Sequence, residues 1–188
     1  MVLPGQTSSL DRIWRLSSVD EDTADGLVSR VGLHPLVAHL LVCRDVVDDV
    51  RAKTFLKADL GVMPDPALMA DVRRAADRLV AGVQNGEKIT VYGDYDVDGV
   101  TSSAVLWLFF RDVFDLDIEV YIPHRLKEGY GLNMGAIDRL ADGGTRILVT
   151  VDNGSSAVEE VAHARDRGLD VVIIDHHQIS DPEPSAYA

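Results

Sequence analysis

Between Lys88 and Ile174, short runs rich in β-branched residues alternate with longer runs of helical character, and this alternation limits the possible folds more than any other feature. Residues 88–93 predict a strand and 100–114 an almost wholly apolar helix. Residues 118–122 predict a second strand and 133–141 a second helix. A third strand follows at 146–151, a third helix at 156–167 and a fourth strand at 171–174. Strands separated by helices of this length build parallel βαβ units. Continuous apolar stretches such as Ile147-Leu148-Val149 suit a sheet covered on both faces. The expected fold is therefore α/β, a doubly wound, mainly parallel sheet with helices on both faces.

A helical N-terminal region, expected over 1–86, precedes the α/β domain expected over 87–188. Residues 1–11 are small and polar and expected to fray, and 17–25 read as an acidic turn. From residue 26 to 56 the apolar residues Leu27, Val31, Leu36, Ala38, Leu40, Leu41, Val46, Val50 and Phe55 recur at helical spacing. Pro35 suits a helix start, where its missing amide has no helical partner to lose. After a break at 61–66, residues 68–83 read as one amphipathic helix through Met69, Val72, Ala76, Leu79 and Val83, closed by Asn85-Gly86. Nothing in this region suggests chemistry.

Composition narrows the function classes. A hydrophobic content of 46% in 188 residues is enough for a real core. Cys43, the single cysteine, excludes an internal disulfide framework and a cysteine-rich zinc site. No secretory pattern opens the sequence, and the apolar runs are too short to span a bilayer, so the expectation is a cytoplasmic protein with no membrane partner. A net charge of −13 speaks against a broad non-specific grip on nucleic acid. Carboxylates that hold divalent cations are counted in that figure as bare charge, so it does not exclude nucleic acid.

Three of the four strands end in acidic residues: Gly93 leads into Asp94-Tyr95-Asp96-Val97-Asp98-Gly99, Val151 into Asp152-Asn153-Gly154, and Ile174 into Asp175-His176-His177. In an open parallel sheet the carboxyl ends of the strands share one edge, where ligands bind. Three segments distant in sequence would thus meet in one cleft. Asp94, Asp96 and Asp98 alternate, and in extended chain they point to one side. Crowded like charges repel unless a cation compensates them. Carboxylates with imidazole suit manganese, magnesium or zinc, and two such ions could bridge a phosphoryl oxygen and activate a water. Taken singly, Asp98 or Asp152 is as readily a helix N-cap, and a lone histidine is more often structural. The Asp96-Val97-Asp98-Gly99-Val100-Thr101 segment also fits haloacid-dehalogenase-like phosphatases, and an acidic pocket on a doubly wound sheet fits response-regulator receivers. The adjacent His176-His177 disfavours both.

At Asp175-His176-His177 the sequence resembles the DHH phosphoesterase superfamily, and within it the RecJ-type single-strand-specific DNA exonucleases. Four segments carry the resemblance in order: Gly93 to Gly99; Pro123-His124-Arg125 with Glu128-Gly129-Tyr130-Gly131-Leu132; Val151-Asp152-Asn153-Gly154; and Asp175-His176-His177. The stretches His34-Pro35-Leu36-Val37-Ala38 and Ala52-Lys53-Thr54-Phe55-Leu56 also resemble the region that precedes the catalytic core there. The resemblance runs from about Trp14 to Gln178.

It implies a metal-dependent hydrolase that cleaves single-stranded DNA from the five-prime end in DNA repair and recombination, with manganese or magnesium, two ions in the complete enzyme. Asp94, Asp96, Asp98, Asp152, His176 and His177 are the implied metal ligands. Asp98, Asp152 and His177 are the implied catalytic set, and Arg125, Tyr130 and His177 the substrate contacts. Single-stranded DNA is the implied partner, with other DNA-repair proteins as candidates. The alternatives are a non-catalytic scaffold that binds single-stranded DNA, or a phosphodiesterase acting on oligonucleotides or cyclic dinucleotides. Tyr92 stands where some members carry a further histidine ligand. The family's next metal-binding aspartate and second domain lie beyond the histidine pair, so the expectation is a partial catalytic domain, weakly active or inactive by itself.

Overall fold

The structure, a computed structural model, describes residues 17–57 and 59–188. The fraying expected for 1–11 lies outside these residues. The described chain forms two compact units, divided between Asp65 and Pro66.

The first unit holds helices α1 (Glu21–Val31), α2 (Pro35–Val42) and α3 (Asp49–Lys57). The acidic segment expected as a turn instead opens α1, where Glu21 and Asp22 occupy the first turn and complement the helix dipole. Gly32 ends that helix in the left-handed region, its amide donating to the Val28 carbonyl. Pro35 begins α2, and the His34 ring accepts from the Leu36 amide as the cap. The core is made of small and medium side chains: Ala24, Leu27, Ala38, Leu41, Val46 and Ala52. Leu36, Leu40, Val50 and Phe55 share the helical periodicity but stay exposed. Periodicity marks an apolar stripe; it does not say which edge of the stripe is covered.

The second unit is a four-stranded sheet in the order β2-β1-β3-β4, parallel throughout. The strands are β1 (Lys88–Tyr92), β2 (Glu119–Tyr121), β3 (Thr145–Val151) and β4 (Asp170–Ile174). Connecting them are α5 (Val97–Phe114), α6 (Met134–Asp142) and α7 (Val158–Asp166), with α4 (Val72–Gln84) before the first strand. Alternate strand residues supply two cores. Ile89, Val91, Ile147, Val149, Val151 and Val172 pack with Phe110, Leu106 and Trp107 of α5 and with Ala75, Leu79 and Val83 of α4. Tyr92, Leu148 and Val171 pack on the other face with Ala136, Ile137 and Leu140 of α6 and Val161 and Ala164 of α7. Each large aliphatic side chain so buried contributes roughly 1.5–3 kcal/mol. Helix α4 therefore belongs with the sheet, because its apolar stripe closes one sheet face. It begins at Val72 rather than 68, after a short 3-10 turn at Pro66–Leu68.

The chain passes from β1 outward to β2, then crosses back to β3 on the other side of β1. That reversal leaves a crevice at the carboxyl ends of β1 and β3, the place where an open sheet binds ligands. No helix among the described residues is long and apolar enough to cross a membrane.

Candidate metal centre

The acidic strand ends meet at that crevice. Ligand atoms of Asp94, Asp96 and Asp152 lie within 4.8 Å of one another, and so do those of Asp152, His176 and His177. Asp152 belongs to both groups. An adjoining cleft of about 350 Å³ is lined by Met69, Asp98, Ser102, Asp152, Ile174, Asp175 and His176.

The chain after β1 bends at Tyr95 and Asp96. There the Asp96 side chain accepts from the amides of Asp98 (3.0 Å) and Gly99 (3.1 Å) and caps α5. The chain then coils, so the alternation expected to align all three aspartates breaks at the third. Asp98 sits exposed in the first turn of α5, in the cleft but outside both close groups. The first turn also comes down on the backbone of Asp94. A Cβ at Gly99 would collide with the Asp94 backbone, and one at Gly93 with the Ser103 hydroxyl oxygen, so glycine at both positions lets α5 seat there.

Asp94 itself is 1% exposed, and among the described residues neither carboxylate oxygen has a hydrogen-bond partner. A buried carboxylate left unpaired costs on the order of several kcal/mol. Asp152 is also buried and takes a left-handed φ of 62° as it leaves β3, a conformation that aspartate tolerates better than most residues. Burial, and then the Asp96 carboxylate beside it, push its proton affinity up, while the Gly99 amide chief among other contacts holds Asp96 down. His176 Nε2 lies 3.1 Å from Asp152 Oδ1. Carboxylate oxygens and an imidazole nitrogen thus converge on a small volume with too little positive charge, a donor set suited to a hard or borderline divalent cation.

Asp175 is different. Its carboxylate accepts from the amides of Ser155 (3.0 Å), His176 (2.8 Å) and His177 (3.2 Å), and from the His177 Nδ1 at 2.7 Å. Burial alone would raise its proton affinity, but the Ser155 amide and the His177 contacts bring it down to about 2. The same bond raises the proton affinity of His177 and leaves its Nε2 directed away from Asp175.

The loop 123–132 forms one rim. Tyr130 is half exposed, its hydroxyl 3.5 Å from the Asp152 carbonyl. Its ring meets that of Tyr95 edge-on at 6.2 Å, and the Arg125 guanidinium lies 5.2 Å from the Tyr95 centroid. Burial, then the carboxylates of Asp94, Asp152, Asp175 and Asp96, raise the Tyr130 proton affinity, so the phenol stays neutral toward the cluster. Of the residues proposed from sequence, the structure brings together Asp94, Asp96, Asp152, His176 and His177, places Asp98 beside them, and sets Arg125 and Tyr130 on the rim. Tyr95, Met69 and Ser102 are additions that the sequence reading lacks. Tyr95 lies between two aspartates of the cluster, and an aromatic in that position is a signal that could have found it. Met69 carries no such signal.

The sequence and the fold have known relatives. Residues 88–188 match the family model described as DHH family, N-terminal domain. The single-stranded-DNA-specific exonuclease RecJ of Bacillus subtilis (strain 168) is 38% identical over 175 residues, which cover 93% of this chain and 22% of that protein. Its counterpart in Escherichia coli (strain K12) is 35% identical over 156 residues, 83% of this chain and 26% of that one. The chain thus spans about a quarter of the length of these curated relatives. A solved structure of exonuclease RecJ bound to manganese aligns with a TM-score of 0.60 at 31% identity, covering 69% of this chain and 32% of that chain. RecJ in complex with Mn2+ from Thermus thermophilus shares the fold at 23% identity, TM-score 0.61, over 92% of this chain and 24% of that one.

Proposed function

The chain belongs to the DHH family, and from that premise we propose that it supplies the metal-holding part of an exonuclease that hydrolyses phosphodiester bonds of single-stranded DNA from the five-prime end, in cytoplasmic DNA repair and recombination. The observation that carries the proposal is the buried Asp94 carboxylate, unpartnered, beside Asp96, Asp152 and His176. Manganese fits this mixture of carboxylate and imidazole better than magnesium, which prefers oxygen alone. Bound divalent ions would supply Lewis acidity and the means of generating a nucleophile from water at neutral pH.

Asp94, Asp96, Asp152 and His176 are the ligands in this reading, with Asp152 shared between two positions because it belongs to both close groups. Asp98, in the first turn of α5 on the wall of the cleft, would be a further ligand. His177, with Nδ1 fixed by Asp175, presents Nε2 either to a metal or, protonated, to a phosphate oxygen. Arg125 offers a forked donor to a backbone phosphate, and Tyr130 and Tyr95 offer faces to an unpaired base.

The test is an exonuclease assay on the polypeptide encoded by the whole reading frame, with manganese, comparing single-stranded DNA, duplex and cyclic dinucleotides. Nucleotide release from the five-prime end of the single strand, lost on Asp152→Ala, is the expected result. Preference for cyclic dinucleotides, or full activity in Asp152→Ala, would overturn the reading.

A further inference from the structure

Tyr92 ends β1, two residues before Asp94, and its side chain lies outside both close groups of ligand atoms. It is fully buried on the α6 face, its ring 5.1 Å from that of Tyr121. Its hydroxyl donates to the Gly131 carbonyl (3.0 Å) and accepts from the Asn133 side-chain amide (3.0 Å). Burial raises the phenol's proton affinity, so it remains a donor. The Asn133 side-chain oxygen in turn accepts from the Ala136 amide and caps α6. On the backbone side, the Tyr92 carbonyl accepts from the buried Asn153 amide (3.3 Å), next to Asp152.

Gly131 is the second of two left-handed glycines, with φ 83° at Gly129 and 74° at Gly131, that bracket Tyr130. A residue between two such glycines has little backbone restraint of its own. Beyond its own contacts with the Asp152 carbonyl and the Tyr95 ring, Tyr130 is placed by what grips the glycines, and a side-chain grip on the second one comes from Tyr92.

We propose that Tyr92 is a positioning residue: its hydroxyl, through the Gly131 carbonyl and Asn133, fixes the 129–132 loop to the end of β1 and so sets Tyr130 over the crevice between β1 and β3. Tyr92 does not act as a metal ligand in place of a histidine. It links the loop at the rim to the strand that delivers Asp94 and Asp96. The anchoring stands on geometry alone; its consequence for single-stranded DNA rests on the reading proposed above.

Two measurements test it separately. In the 188-residue chain, Tyr92→Phe keeps the ring and removes the bond. Amide hydrogen exchange at 130–133 is expected to quicken by on the order of threefold or more. Manganese affinity by calorimetry is expected to hold within about twofold. In the polypeptide of the whole reading frame, KM for single-stranded DNA is expected to rise by roughly three- to tenfold with kcat within about twofold, a split that simple destabilisation does not produce. In a Tyr130→Ala background the same substitution should leave KM where it is, since it acts through Tyr130. Asn133→Asp keeps the α6 cap, removes the donor to Tyr92 and offers its hydroxyl a carboxylate that competes with the Gly131 carbonyl, so it should reproduce the exchange and KM effects if Tyr92→Phe does not fold. Unchanged exchange in both variants, or a fall in manganese affinity equal to the loss of activity, would overturn the proposal. Faster loop exchange in a protein that leaves single-stranded DNA intact would support the anchor and refute the substrate reading instead.

Discussion

The ends of β1 and β4 each carry a buried aspartate side chain, and the two are held in opposite ways. Asp175, after β4, receives three backbone amides and the His177 ring. Asp94, after β1, receives nothing. The first is satisfied by the protein and serves to orient a histidine. The second is a buried carboxylate to which the protein offers no donor, and an added cation would supply the missing partner. In letters both are an aspartate following an apolar strand, so the difference between a carboxylate left open and one held by the protein is written in the surrounding amides rather than in the motif.

Substitutions should separate the two. Asp175→Asn removes the charge that those donors point at. Charge-assisted hydrogen bonds of this kind contribute about 1.5–3 kcal/mol, so the metal-free chain should lose stability of that order in denaturant titration. Where His177 Nε2 meets the metal, the loss of its orienting partner should lower manganese affinity by about 10–100-fold. Unaltered affinity would assign His177 to the phosphate instead.

Gly99→Ala pushes the first turn of α5 off the Asp94 backbone and should cost about 1–3 kcal/mol, read as a lowered Tm. An unchanged Tm would mean that the close approach of α5 to Asp94 is not a real constraint.

Glu128 extends the contrast to a third carboxylate. It accepts from the His124 amide (2.8 Å), the Tyr121 hydroxyl (2.5 Å) and Arg139 (2.5 Å), and the His124 amide above all brings it down to about 2. A carboxylate lowered on folding stabilises fully above its ordinary range and loses that contribution as pH falls through the folded value. Glu128→Gln should therefore lower Tm at about pH 7 by a small amount, and the gap to the unsubstituted chain should close between about pH 4.5 and about pH 2. A gap that stays constant across that window would show that the charge on Glu128 contributes nothing.

Much of the fold is legible in the sequence because the apolar strands are short, β-branched and regularly interrupted. The strand and helix expected at 146–151 and 133–141 fall within a residue or so of β3 and α6, where Asn133 supplies a visible cap. Helix α5 begins three residues earlier than its apolar pattern, because the cap is Asp96, a residue that reads equally well as a ligand. The convergence of Asp94, Asp96, Asp152 and the histidine pair follows from parallel topology alone. What the sequence does not show is the backbone change at Asp96 that sets Asp98 apart, the left-handed φ of Asp152, and the turning of Tyr92 into the core. Each depends on a tertiary contact: Gly99 against Asp94, the ladder bond from the Asp152 amide to Ile174, and the packing of Tyr92 on Tyr121. Sequence alone groups helix α4 with the N-terminal helices because an amphipathic stripe does not say which core it covers.

The most direct test of the unpartnered carboxylate is a paired measurement on Asp94→Asn: thermal unfolding without metal, and calorimetric titration with manganese. Neutralising a buried, unpaired charge should raise the metal-free Tm, and removing a ligand should weaken manganese binding by at least about tenfold. A lowered Tm together with unchanged manganese affinity would contradict the assignment of Asp94 to the metal.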